Sequence, residues 1–171
     1  MAVQFKEPGT VLFSAADTVA MDPDCCCGEE ACECTAYCDD GTTPLTITVK
    51  GAGVAALVPP NACDCDATWN DVEFELEQVG PGHCCEWSLS AEACGETYFL
   101  YLHILGDGVL EFSVNDEGMN GVVFQFDLWD EEDFPENCKA DMIGAVMTQT
   151  GFIQEGRCDW TGATFEITAT T

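Results

Sequence analysis

Thirteen cysteines are the feature of this sequence that most constrains its fold. Six fall between residues 25 and 38, and the complete set is Cys25, Cys26, Cys27, Cys32, Cys34, Cys38, Cys63, Cys65, Cys84, Cys85, Cys94, Cys138 and Cys158. So dense a set indicates either a disulfide framework formed in an oxidising compartment or metal sites. Residues 1–21 contain one lysine and no apolar run of signal-peptide length, so we expect a chain that is not exported through a signal.

The composition predicts an apolar core beneath an acidic surface. Hydrophobic residues make up 47% of the chain, so the cysteines add to a core and do not replace it. The sequence has 32 acidic and four basic residues, for a net charge of −28. Because nucleic acids and anionic membranes are bound through cationic patches, we expect neither as a partner. No apolar stretch approaches the roughly 18 residues of a transmembrane helix.

Three segments follow from the residue patterns. Residues 1–24 carry two short apolar bursts separated by Pro8 and Gly9, which predicts a hairpin or an arm. We expect residues 3–13 to pair with a sheet edge of this domain or of a neighbouring subunit. Residues 25–44 show no strand or helix period, so their order must come from cross-links or metal. Residues 45–171 form the predicted β domain.

The β domain is predicted from period-two alternation of apolar and polar residues. The alternation is clearest where Glu73, Glu75 and Glu77 are predicted to face solvent. We expect an all-β fold, an antiparallel sandwich or jelly-roll-like barrel of about eight strands. Asp107-Gly108 indicates a hairpin, and residues 137–142 are the one helix candidate. The predicted core positions are Val72, Phe74, Leu76, Leu110, Phe112, Val122, Phe124 and Phe126.

The cysteine-rich segment has two competing interpretations. Cys32, Cys34 and Cys38 could supply thiolates for tetrahedral zinc together with one of Cys25, Cys26 or Cys27, of which we take Cys25 as the candidate. The usual Cys-x2-Cys knuckle is absent, however, and nearby glutamates raise thiol pKa values, which disfavours thiolate ligands. We therefore prefer disulfides, with at least two bridges inside residues 25–38 or between this segment and the β domain.

Two repeated Cys-x-Trp elements predict disulfides beside core tryptophans. Cys85 precedes Trp87, and Cys158 precedes Trp160, by the same spacing. Each element stands at the start of a predicted strand, so the two bridges would occupy equivalent places. We also expect bridges between strand ends near Cys63, Cys65, Cys84 and Cys94.

Other candidate ligands and catalytic groups are few. His83 could join Cys84 and Cys85 in a zinc site, whereas His103 lies in an apolar strand and is expected to be a sheet residue. Asp127 and the acidic residues 130–133 have the composition of a calcium loop without EF-hand spacing, so a solvated loop is favoured. Zinc and calcium are thus the only candidate ions. Two histidines build no Ser/His/Asp arrangement, and we expect no enzyme, with a carbohydrate-active β-sandwich as the enzymatic alternative.

The elements VQFKEPGTVLF, DTVAM and DCCCGEEACEC resemble the opening of small cysteine-rich proteins from tailed bacteriophages and their bacterial hosts. The resemblance covers roughly residues 1–40 and 156–168, where Cys158-x-Trp160 matches the group's carboxyl-terminal element. It implies a virion or cell-surface setting and no catalytic residues.

A virion setting would explain cysteines without an export signal, because a phage protein made in the cytoplasm meets an oxidising medium after lysis. We therefore expect a non-enzymatic structural protein of a phage particle, in the tail tip, a fibre or a capsid decoration. Its expected partners are other virion structural proteins, in several copies. The alternative is a cysteine-rich metal-binding protein of the cell or its surface.

Overall fold

The alternating segments form a closed antiparallel barrel in the computed structural model, which describes residues 32–57, 63–106, 108–116, 121–129, 137–151 and 157–171. The strands are β1 (Thr46–Ala52), β2 (Ala55–Ala56), β3 (Glu73–Gln78), β4 (Glu86–Ala93), β5 (Glu96–Ile104), β6 (Val109–Asp116), β7 (Gly121–Asp127), β8 (Val146–Gln149), β9 (Cys158–Asp159) and β10 (Thr164–Thr170). Two short helices, α1 (Cys65–Trp69) and α2 (Cys138–Asp141), lie between strands. The expected all-β class is confirmed.

Eight strands close the barrel in the order β1-β10-β8-β7-β6-β5-β4-β3, and β2 pairs with β9 in a separate small sheet. Hairpins β4–β5, β5–β6 and β6–β7 form long, continuous ladders. By contrast, β7 and β8 pair only at Phe124↔Gln149 and Gln125↔Thr148. β3 and β4 likewise pair only at Glu77↔Ser88 and Gln78↔Trp87, so the barrel wall is least continuous at these two seams.

Aromatic side chains fill the barrel interior. Phe165 lies between Phe112 and Phe124, with ring centroids 4.7 and 4.9 Å away respectively. Aromatic rings at this spacing add a directional contribution to the burial of apolar area. The predicted inward positions Leu76, Leu110, Phe112, Val122 and Phe124 are buried, and Glu73, Glu75 and Glu77 are exposed, as predicted.

Three predicted core positions are less buried than expected. Phe74 and Phe126 are half-buried and pack against the core from its edge. Val72 is half-buried and lies just before β3, outside the ladder. Each stands near a strand end, where the barrel rim leaves one side of the residue uncovered. β8 begins at Val146, after the turn that follows α2.

Residues 32–44, here called the cysteine cap, pack over the barrel end where β4 begins and β3 ends. Trp87 Nε1 donates a hydrogen bond of 2.8 Å to the Pro44 carbonyl, and Cys34 N donates one of 2.8 Å to Thr43 Oγ1. The cap has no regular secondary structure beyond turns. It is joined to the barrel by the disulfides Cys32–Cys84, Cys34–Cys85 and Cys38–Cys138.

Residues 63–71, here called the helical cap, pack at the opposite end. Asp64 caps α1 by accepting hydrogen bonds from the backbone N–H groups of Asp66 and Ala67. The fully buried Trp69 meets the rings of Phe74, Tyr98 and Trp160, with centroid distances of 5.5, 5.2 and 5.2 Å. The disulfides Cys63–Cys94 and Cys65–Cys158 complete the attachment.

The structure describes only some of the predicted segments. The arm, residues 1–24, lies outside the described residues, as do Cys25, Cys26 and Cys27. The helix candidate near residues 137–142 corresponds to α2. In contrast, α1 was not predicted.

Candidate functional site

A row of polar side chains crosses the outer face of the barrel. Successive cross-strand partners are Glu86↔His103, His103↔Glu111, Glu111↔Gln125 and Gln125↔Thr148. Residues directly opposite each other in a ladder share one face of the sheet. Their chain neighbours, such as Trp87, Leu102, Phe112 and Phe124, are buried inside, so this row faces outward. We call the five residues the outer row.

Glu111 links the two halves of the outer row. Its Oε1 lies 3.5 Å from His103 Nε2, and its Oε2 accepts a hydrogen bond of 2.7 Å from Gln125 Nε2. The His103 and Glu111 side chains are each only 23% exposed. The second ring nitrogen, His103 Nδ1, is buried without a hydrogen-bond partner in the described part of the chain. The pair places an imidazole beside a carboxylate on the outer face of the barrel.

Two further titratable groups surround Glu86. His83 Nδ1 lies 2.7 Å from Glu86 Oε2. Burial raises the pKa of Tyr101 well above its usual range, and hydrogen bonding to Glu86 and the charge of Glu86 raise it further. Tyr101 therefore stays a neutral phenol at physiological pH and can serve as a hydrogen-bond donor.

The structure separates the four candidate zinc ligands. Cys32, Cys34 and Cys38 pair with Cys84, Cys85 and Cys138 in three disulfides whose Cα–Cα distances are 5.2, 5.0 and 5.5 Å. These distances lie within the ordinary range for disulfides. The fourth candidate, Cys25, lies outside the described residues. The preference for disulfides, with at least two of them tying this segment to the β domain, is confirmed for the described cysteines.

The other candidate ligands are also dispersed. His83 bonds to Glu86, and the cysteines beside it are in disulfides. Asp127 is described, but the acidic residues 130–133 of the candidate calcium loop are not. Within the described ranges, no group of three or more His, Cys, Asp or Glu side chains is arranged to hold a metal ion.

Both Cys-x-Trp elements have the predicted disulfide beside a core tryptophan, but the two bridges lie at opposite ends of the barrel and not in equivalent places. Cys85 and Cys158 are both in disulfides, to Cys34 and Cys65, and the tryptophans that follow, Trp87 and Trp160, are both buried. One bridge belongs to the cysteine cap and the other to the helical cap. The same short motif therefore fastens each end of the barrel beside a core tryptophan.

An open groove lies beside the outer row, where β7 and β8 separate. Its volume is about 460 Å³, and it is lined by Gln125, Phe126, Asp127, Val146, Thr148 and Thr150. Alternation along β7 places Gln125 and Asp127 on the outer face, and the register places Thr148 opposite Gln125. The groove thus combines hydrogen-bonding groups with two apolar residues, Phe126 and Val146.

Sequence reasoning missed both the outer row and the groove. Alternation alone predicts that His103 and Glu111 face outward, but it does not predict that they are opposite each other. That requires the register of the β5–β6 hairpin, in which Leu105 N donates to the Val109 carbonyl at 2.8 Å. The groove depends on where the β7–β8 ladder stops, for which the sequence contains no signal that we recognise.

No protein-family model, no curated protein and no solved structure matches the chain. Neither helix of the described residues has the length and apolar character needed to cross a membrane.

Proposed function

We propose that this chain is a non-enzymatic structural protein of a bacteriophage particle, located in the tail tip, a fibre or a capsid decoration. The observation that carries the proposal is the set of five disulfides among the described residues, which tie both ends of a filled barrel. A protein synthesised in a reducing cytoplasm and released by lysis would acquire such bridges in the external medium. The resemblance of residues 1–40 and 156–168 to phage proteins supplies the particle context.

The cross-links suit a component that must survive outside the cell. They join residues separated by between 31 and 100 positions in the sequence. Closing loops of this length reduces the conformational entropy of the unfolded chain, and the effect grows with loop length. The folded state is thereby protected from unfolding and from proteolysis of opened forms.

The proposed partners are other structural proteins of the particle, with this chain present in several copies. Residues 3–13 would add a strand to a neighbouring sheet edge, as extended arms do in other assemblies. A net charge of −28 opposes self-association, so the contacts would be apolar or backbone-mediated.

Incorporation into particles tests the proposal directly. Phage particles released by the strain that encodes the chain would be purified by density gradient, and the chain would be quantified by mass spectrometry. We expect the full-length protein to sediment with the particles. A variant lacking residues 1–13 should fold, as judged by circular dichroism, but remain in the soluble fraction.

Three outcomes would contradict the proposal. They are a full-length protein that stays outside the particles, a truncated protein that assembles normally, and a free monomer with catalytic turnover. In addition, stoichiometric zinc on a chain with thirteen reduced thiols would replace the proposal with the metal-binding alternative.

A further inference from the structure

The groove between β7 and β8 presents an unusual balance of hydrogen-bonding groups. Asp127 offers a carboxylate, and Thr148 and Thr150 offer hydroxyls, all three on exposed residues. The lining contains neither lysine nor arginine. A ligand that fills this groove must therefore donate a hydrogen bond to the Asp127 carboxylate, because no lysine or arginine of the lining does so.

Gln125 adds a second acceptor because its amide nitrogen is already in use. Gln125 Nε2 donates to Glu111 Oε2 at 2.7 Å, and a carboxylate oxygen can only be paired with the nitrogen end of the amide. The carbonyl oxygen is the remaining polar atom of this groove-lining side chain. Glu111 is itself held beside His103, so the orientation of Gln125 is fixed by the outer row.

Charges around the groove are negative on both sides. Glu111 flanks it on β6, and Glu166, the cross-strand partner of Val146, flanks it on β10. Lys50 lies opposite Glu166 but bonds to Asp71 at 2.9 Å. The surrounding potential therefore favours a cation, in keeping with the net charge of −28.

The apolar lining indicates a cation that has an aliphatic stem. Val146 is 40% exposed although it is a branched hydrocarbon side chain, and the half-buried Phe126 lines the groove from the inner face of β7. Lysine and arginine carry hydrocarbon stems that pack on such surfaces while the charged head reaches polar groups. A small inorganic cation would leave the apolar part of the groove uncovered.

We propose that this groove binds an arginine or lysine side chain of a partner protein. The stem packs against Val146, and the cationic head donates hydrogen bonds to Asp127 and the Gln125 carbonyl. This inference rests on the proposed function, because it names the kind of contact through which the chain holds a neighbour in the particle. It does not require the neighbour to be a second copy.

A titration monitored by NMR amide shifts tests cation binding in the groove without any phage particle. The full-length oxidised protein would be titrated with N-acetyl-arginine amide and, separately, with its uncharged isostere N-acetyl-citrulline amide. We expect the arginine probe to shift the amides of Gln125, Asp127, Val146, Thr148 and Thr150, and the citrulline probe to shift none of them. Because an exposed ion pair is screened by salt, the shifts should shrink as salt is added.

Matched variants separate groove binding from general attraction to an acidic protein. Asp127→Asn should weaken binding of the arginine probe about fivefold. Glu75→Gln removes the same charge from an exposed position on β3 and should leave binding unchanged. Equal binding by the two probes, shifts spread over all acidic faces, or an Asp127→Asn protein that binds normally would each overturn the assignment.

Other outcomes remain distinguishable from these. Groove shifts caused by a neutral disaccharide such as maltose would identify a glycan site and overturn the cationic assignment. Failure of the titration leaves the particle test of the proposed function unaffected. Conversely, a protein that is absent from particles could still bind the arginine probe. That result would contradict the proposed function and support the cation site in the groove.

Discussion

The cysteine cap and the helical cap attach to opposite ends of one barrel, and they are held by different interactions. The cysteine cap (residues 32–44) has only turns, and three disulfides connect it to Cys84 and Cys85, just before β4, and to Cys138 in α2. The helical cap (residues 63–71) has two disulfides and also buries Trp69 among three other aromatic rings. We infer that the first cap depends mainly on its cross-links and that the second would stay packed without them.

The largest expected effect on the free energy of unfolding comes from removing the disulfide that closes the longest loop. Replacing both members of the Cys38–Cys138 bridge by serine opens a loop of 100 residues at the cysteine cap. The chain-entropy account gives a loss of about 4.7 kcal/mol in the free energy of unfolding. Denaturant unfolding of the oxidised proteins would measure it.

The Cys63–Cys94 bridge at the helical cap provides the control, since it closes a loop of only 31 residues. The corresponding double serine variant should lose about 1 kcal/mol less than the Cys38–Cys138 variant. An equal or larger loss at the helical cap would contradict the assignment of greater cross-link dependence to the cysteine cap.

Next in size is the effect of truncating the aromatic anchor of the helical cap. Trp69→Ala removes a side chain that is fully buried. We expect it to lower the free energy of unfolding by about 4 kcal/mol, in the range of buried aromatic truncations. Leu45→Ala, at a residue that is 46% exposed beside the cysteine cap, should cost less than about 1 kcal/mol. Similar losses in the two variants would mean that Trp69 does not anchor the cap.

The close approach of the helical cap to β1 predicts a smaller effect. A Cβ added at Gly51 would lie 2.5 Å from the Trp69 carbonyl oxygen and 2.9 Å from the Phe165 ring. Gly51→Ala should therefore cost about 2 kcal/mol, through displacement of α1. Gly106→Ala is the matched change at the cysteine-cap end. Its Cβ would meet only the Tyr37 hydroxyl, at 3.3 Å, so thermal unfolding should detect little change.

The smallest effect concerns a turn after β9. Hydrogen bonds from the backbone N–H and side chain of Thr161 lower the pKa of Asp159 below its ordinary value of 3.8. Because the folded pKa is lowered, the carboxylate stabilises the fold above pH 3.8, and this contribution is lost as pH falls through the folded pKa. Asp159→Asn should therefore differ from the native protein at neutral pH and converge with it in acid. A stability difference that does not change with pH would exclude this linkage.

Strand alternation accounts for most of what the sequence predicted about the fold. Glu73, Glu75 and Glu77 had to face water, and Phe112 and Phe124 had to face inward, because the strand period is two. Alternation weakens at strand ends, which is why Phe74 and Phe126 are only half-buried. Barrel closure through β1 and β10 depends on pairing between segments that are distant in the sequence. The alternation of apolar and polar residues within each strand does not predict that pairing.

The missed elements share a physical cause. Helix α1 has five residues, too few to show a helical period, and it is held by Trp69 packing and the Asp64 cap. Disulfide partners were not predictable either, because connectivity depends on which cysteines the fold brings within bonding distance. Recognition of the outer row and the groove needed strand register and the point where β7 and β8 separate.

Hydrogen exchange of the oxidised and the reduced protein tests most directly the claim that the two caps are held differently. In the oxidised protein, the cysteine cap should be protected at Cys34, Tyr37 and Cys38, whose backbone N–H groups donate to atoms within the cap. After reduction, we expect those amides to exchange rapidly while Thr68 and Asn70 of the helical cap keep their protection. Loss of protection at both caps together, or retention at both, would contradict the account.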